Sequence, residues 1–166
     1  MLKPNEVKNK AILLEDENYK FKSFLKNRAD EQTLDAQFLE LHNELFENYD
    51  CRKCRNCCKE YAPTLEENEV IAVASYFNMQ KEEFINQFMG FKNGEHYVKG
   101  SPCRFLNADN SCQIADCKPQ GCKDYPHTNK PERLWSLLSI VNSASVCPIV
   151  FEILERLKVQ YNFRRK

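Results

Sequence analysis

The segment "CRKCRNCC" places four thiols, Cys51, Cys54, Cys57 and Cys58, within eight residues. Five further cysteines follow at Cys103, Cys112, Cys117, Cys122 and Cys147. A thiolate is a nucleophile, a redox group and a metal ligand, so this density calls for one of those chemistries. A two-residue gap lets two sulfurs converge on one ion, and Cys51, Cys54 and Cys57 repeat that gap twice.

Three other readings compete with metal ligation. Disulfides fit poorly, because adjacent residues lie ~3.8 Å apart at Cα while an ordinary disulfide wants roughly 4.4–6.8 Å. Cys57 and Cys58 are adjacent, and nine thiols cannot all pair. Burial as small hydrophobes suits an isolated cysteine. It does not suit thiols flanked by Arg52, Lys53, Arg55, Asn56 and Lys59. Thioredoxin-like chemistry expects its C-x-x-C to open a helix in a βαβ setting, and no such pattern is visible. Thiolate ligation remains. Zinc takes this spacing tetrahedrally with four thiolates. C-x-x-C-x-x-C is also three quarters of the bacterial ferredoxin run, whose fourth cysteine precedes a proline as Cys147 precedes Pro148. Spacing alone leaves zinc and an iron–sulfur cluster both open. A structural zinc site contributes ~10–16 kcal/mol. A whole domain is stable by only ~5–15 kcal/mol, so one filled site would decide whether the cysteine-bearing segments fold.

The elements that must position these thiols read as mainly helical. Residues 5 to 28 form a polar helix. Leu34, Phe38, Leu41, Leu45 and Tyr49 make one stripe of a helix over 33 to 49, with Thr33 as its N-cap, delivering Cys51 at its end. Thr64 and Glu67 form a capping box before "VIAVASYF", and Asn78 ends that helix. "KEEFINQFM" is a short helix stopping at Gly90. Turn residues Asn107 to Asn110 suggest a hairpin carrying Cys103 and Cys112, and "KPQGCKDYPHTNKPE" reads as a loop. Residues 132 to 145 form a helix with the only tryptophan, Trp135. Pro148 opens a last helix to about Phe163. The expected fold is mainly α with a small β-hairpin, an irregular cysteine-rich core braced by helices. The expected division is a helical segment 1–48 and a cysteine-cluster domain 49–166, together one compact unit.

Several function classes are disfavoured. The 166 residues carry 24 basic and 24 acidic side chains, which gives no global pull toward nucleic acid or membrane. The short basic tail "NFRRK" is weak support for nucleic-acid binding. No apolar run reaches the roughly 20 residues a membrane helix needs. The four-residue run Ala11 to Leu14 is too short for a signal peptide. The expected compartment is therefore the cytoplasm, where thiols stay reduced. The four glycines, at 90, 94, 100 and 121, form no nucleotide or methyl-donor fingerprint, which argues against a self-contained enzyme.

Taken in order, the motifs resemble the YkgJ-type cysteine-cluster family, known by its CxxCxxCC signature and described as a zinc- or iron-chelating domain. "CRKCRNCC" matches that signature, and "PCRFLNADNSCQI" resembles the family's C-x-F-L…C-x-I stretch. "KPQGCKDYP" resembles its R-P-x-x-C-R-x-Y-P element, and Cys147 its final cysteine. The resemblance covers about residues 49 to 150. It implies a metal-ligand set of Cys51, Cys54, Cys57, Cys58, Cys103, Cys112, Cys122 and Cys147, binding zinc or iron. Cys117 departs from the pattern as the surplus thiol, and Lys118 stands where an arginine is usual. His127, after "DYP", is a candidate nitrogen ligand, whereas His42 and His96 read as ordinary. The cluster also resembles that of a flagellin lysine N-methylase with an iron–sulfur centre. This implies an alternative: an iron–sulfur protein with redox or methyl-transfer-related activity. The expected partner is a metal ion, with a protein partner meeting the N-terminal helices.

Overall fold

The structure is a computed structural model describing residues 1–164. Arg165 and Lys166 of the basic tail lie outside the described residues. The chain is mainly α with one small antiparallel sheet, as its patterning predicts. It divides into two units, residues 1–50 with 126–166 and residues 51–125.

The first unit is all helix: α1 (Val7–Leu13), α2 (Glu15–Arg28), α3 (Glu31–Phe46), α9 (Arg133–Ser143) and α10 (Pro148–Gln160). The predicted helix over 5 to 28 is broken at Leu14, whose backbone leaves the helical region. Helix α3 buries the predicted stripe Leu34, Phe38, Leu41 and Leu45. Its N-cap is Asp30 rather than Thr33: the Asp30 carboxylate accepts both the Thr33 N–H (2.9 Å) and the Thr33 hydroxyl (2.8 Å). A charged acceptor one turn earlier outcompetes the hydroxyl. Pro148 occupies the first turn of α10, where its missing N–H costs nothing. Helix α10 packs on α3, α9 and α1. It also buries a charge. Lys158 is wholly buried, and its Nζ donates to Glu17 (2.7 Å), Asn18 (2.6 Å) and Glu155 (2.8 Å).

The second unit carries eight of the nine cysteines. It contains α4 (Cys51–Cys54), α5 (Asn56–Glu60), β1 (Thr64–Leu65), α6 (Glu67–Tyr76), α7 (Lys81–Phe88), β2 (Met89–Lys92), β3 (Glu95–Val98), a 3-10 turn (Ala115–Cys117) and α8 (Gln120–Asp124). The strand order is β1-β3-β2, and β2 and β3 pair with Gly90 opposite Tyr97. The hairpin therefore lies ahead of Cys103, not around it. Its turn is Asn93-Gly94, both at positive φ (54° and 87°), the backbone that a two-residue hairpin needs. Helix α7 runs straight into β2, so Gly90 is a strand residue and not a helix stop. A Cβ at Gly90 would meet the Tyr97 ring, so glycine lets that ring lie across the strand.

The capping box of α6 is Glu66 with Glu69, two residues past the predicted Thr64 and Glu67. Asn78 does end this segment, in the left-handed conformation. The core of the unit joins Val70, Val73, Phe84, Val98, Phe105 and Ile114. Phe77, Phe84, Phe88 and Phe105 stack in one aromatic group.

Candidate metal centre

All nine cysteines are thiols. The dense motif folds as two single-turn helices, α4 and α5. Arg55 joins them in the left-handed conformation (φ 55°, ψ 13°), and its Nε donates to the Arg52 carbonyl at 3.0 Å. Cys57 and Cys58 sit in the first turn of α5, with sulfurs 4.0 Å apart.

The Cys103 N–H donates to the Cys58 carbonyl at 2.7 Å, which ties the second cysteine segment to the first. Between Cys103 and Cys112 the chain makes a tight loop. Asn107 N–H donates to the Ser111 carbonyl, Gln113 N–H to the Phe105 carbonyl, and Leu106 bridges Cys112. Phe105 and Ile114 anchor this loop in the core, and Cys103, Cys112 and Cys117 pack against the same core. Cys122 lies on α8, a helical turn where a loop was expected. The Gln120 N–H donates to Glu69 Oε1 at 2.7 Å, so the residue that caps α6 also pins α8.

These ties bring four thiols to one place. Cys57, Cys58, Cys103 and Cys122 line a cavity of about 80 Å³, walled by Tyr61, Pro63, Tyr125 and Lys118. The two tyrosine rings meet edge to face, 5.8 Å between centroids. Tyr61 lies four residues after Cys57 and Tyr125 three after Cys122, the spacings that put residues on one face of a helix turn. That spacing is the sequence signal for both.

The thiols shift one another's titration. The Cys58 thiol is lowered from its ordinary 9.0 to about 6. Its hydrogen bond with Cys57 is the largest cause, burial opposes it, and the charges of Arg55 and Lys118 assist. Cys122 is pushed up to about 11, first by burial, against the help of Lys118, and then by Cys58, Cys103 and Cys112. Burial raises Cys103, and Cys58 and Cys112 add to the rise. Cys117 is raised by burial and by Asp116, with Cys112 contributing.

The remaining candidates stand elsewhere. Cys51 is exposed and Cys54 half-buried, both on α4. Cys147 is buried in the helical unit as the residue before α10. His127 is exposed in that unit, at positive φ, with its carbonyl accepting from Arg133. His42 Nδ1 pairs with Thr128 at 2.8 Å.

As the side chains stand, no three His, Cys, Asp or Glu groups among the described residues are drawn onto a common point. The four thiols line a cavity, and the vicinal pair stands close to the edge of about 3.8 Å of a tetrahedron with ~2.3 Å zinc–sulfur bonds. A larger cavity of about 480 Å³ is lined by Glu66, Glu67, Glu69, Glu95 and His96 and contains no sulfur. Glu66 and Glu69 there are spent on the α6 cap, and Glu67 pairs with Lys81. Donor chemistry, not volume, picks out the thiol cavity.

Soft donors from three separate segments of a small α and β scaffold line one cavity, the donor chemistry of a cysteine-cluster metal-binding protein. The chain belongs to the CxxCxxCC family, whose model, described as "Putative zinc- or iron-chelating domain", matches residues 50–148. It is also similar to an uncharacterized protein of Methanocaldococcus jannaschii, 30% identical over 84 residues. That match spans 48% of this chain and 45% of the relative, less than half of each. No solved structure gives a significant match. Among the described residues, no helix is long and apolar enough to cross a membrane.

Proposed function

We propose that Cys57, Cys58, Cys103 and Cys122 form one four-thiolate site that chelates a single zinc or ferrous ion. The observation that carries this reading is their shared cavity. Sulfur donors of this kind suit zinc and iron, and four of them complete a tetrahedron. Four thiolates on a divalent ion leave a charge of about −2. Lys118 on the cavity wall and Arg55 beside Cys58 offset it. Lysine does so as a point charge where the family has a guanidinium. Cys51, Cys54, Cys112 and Cys147 complete the eight-cysteine set that the resemblance implies. Reduced thiols at this density fit a cytoplasmic protein.

Anaerobic reconstitution with Zn²⁺ or Fe²⁺, followed by metal and acid-labile sulfide analysis, tests the proposal. One ion per chain without sulfide is expected, and Cys58→Ser and Cys122→Ser should each abolish retention. Stoichiometric sulfide with brown absorption would replace the single ion by an iron–sulfur cluster. A wild-type chain that retains neither metal would overturn the reading.

A further inference from the structure

Helix α9 meets solvent without a charged side chain. After Arg133, which is buried, its sequence "LWSLLSIVNS" holds no ionisable group, in a chain that is 29% charged. A surface helix ordinarily turns charged and polar groups outward. This one buries Leu137, Ile140 and Val141 and turns out Trp135, 78% exposed, with Leu138, 51% exposed, one turn further on. Trp135 is the only tryptophan of the chain. A large apolar ring held in water is a strong source of binding energy once a partner covers it.

This stripe is one wall of a groove within the helical unit. Helix α2 is the other wall. The Lys26 ammonium lies over the Trp135 ring at 5.8 Å, and the Tyr19 hydroxyl donates to Asn142 Oδ1 at 3.0 Å, so the two helices run antiparallel. A hollow of about 240 Å³ beside Leu134 and Trp135 lies at one end, and one of about 180 Å³ beside Ile12 and Ser145 at the other. The wall from Trp135 to Asn142 is about 11 Å long, two turns of a helix. An extended occupant would set its backbone N–H and C=O groups against apolar side chains, and the described part of this unit has no strand edge to pair them. A helix satisfies its own backbone.

Charge narrows the choice further. Lys22, whose ammonium is 5.5 Å from the Tyr19 ring, and Lys26 stand on one face of α2 along the groove. Glu31 lies at the Trp135 end and Glu15 at the Asn142 end. A second copy of this chain fits badly. A two-fold axis in either direction sets lysines against lysines and a glutamate end against a glutamate end, and like charges brought together cost binding.

We propose that the α2–α9 groove docks an amphipathic helix of another protein, with an apolar stripe for Trp135 and Leu138 and acidic residues along the edge that meets Lys22 and Lys26. The proposal stands apart from the metal site and does not rest on it.

The test selects binders to the full chain from a displayed library of random peptides several helical turns long, then measures the enriched peptides by calorimetry. Enriched sequences should combine apolar residues at i, i+3 or i+4 and i+7 with acidic neighbours, become helical on binding, and shift the Trp135 emission to the blue. Trp135→Ala should weaken them at least about thirtyfold. Lys22→Glu/Lys26→Glu should weaken them at low ionic strength, by a margin that shrinks in high salt. Both variants should keep the wild-type thermal midpoint. If Trp135→Ala lowers it, Leu138→Glu at the next exposed position decides: binding equal to wild type overturns the proposal. An absence of peptides that depend on Trp135 would overturn it. Enrichment of basic or proline-rich peptides would also overturn it, by replacing the acidic helix with another partner. So would a wild-type dimer in sedimentation that Trp135→Ala converts to monomer, which would make a second copy the occupant.

Discussion

At the scale of single residues, two cavity thiols are held on opposite sides of neutrality. Cys58 titrates at about 6 and Cys122 at about 11. At pH 7 the metal-free protein therefore presents Cys58 as a thiolate and Cys122 as a thiol. Iodoacetamide should modify Cys58 first, with a rate that halves near pH 6. A midpoint near the ordinary 9.0 would contradict the arrangement around it. Linkage gives the sign for stability. A depressed thiol stabilises the fold fully above its unfolded value of 9.0, and that contribution is lost as pH falls through about 6. Metal-free protein should accordingly weaken between pH 9 and 6. Spacing made the thiols legible as ligands, but nothing in "CRKCRNCC" tells Cys58 from Cys54. The lowering at Cys58 comes first from its hydrogen bond with Cys57, against burial, with Arg55 and Lys118 assisting, and of these groups only Lys118 belongs to a distant segment.

At the scale of elements, Glu69 joins two tasks. Its side chain completes the α6 capping box and accepts the Gln120 N–H that anchors α8, which carries Cys122. Glu69→Ala should cost about 1 kcal/mol for the cap. It should also weaken zinc affinity, as read by competition with a chelator, because α8 loses its tether. Unchanged affinity would show that Cys122 is placed by other contacts. The helices were legible in the sequence wherever an apolar stripe ran several turns, as in α3 and α10. The hairpin was misplaced because Asn107 to Asn110 offered turn chemistry, while Asn93-Gly94 was the stronger hairpin signal. The two caps were misplaced because a hydroxyl and a carboxylate one turn or less apart compete for the same N–H groups, and the carboxylate won each time.

At the scale of the molecule, the two units rest on different physics. The helical unit is closed by apolar packing and by Lys158, wholly buried among Glu17, Asn18 and Glu155. Lys158→Ala should destabilise this unit by about 1–3 kcal/mol in denaturant titration, since buried Asn18 loses its donor while Arg164 still pairs with Glu17 and Glu155. A loss under 1 kcal/mol would mean that solvent already reaches the network. The unit spanning residues 51–125 has the stacked phenylalanines and, on the proposed reading, the ion. Binding stabilises only what it binds, by mass action. Removing zinc with a chelator should therefore lower hydrogen-exchange protection across residues 51–125. Equal loss in α3 and α10 would show that the ion supports the whole chain.

The sequence by itself determined the donor chemistry, the family and most helices. These depend on residue type and on spacings of a few positions, which the backbone translates directly into local geometry. Only the tertiary structure decided which thiols meet. Cys58, Cys103 and Cys122 share a cavity because Phe105 and Ile114 are buried in one core and Glu69 holds α8 in place. Those contacts join residues far apart in the chain, and no local spacing encodes them.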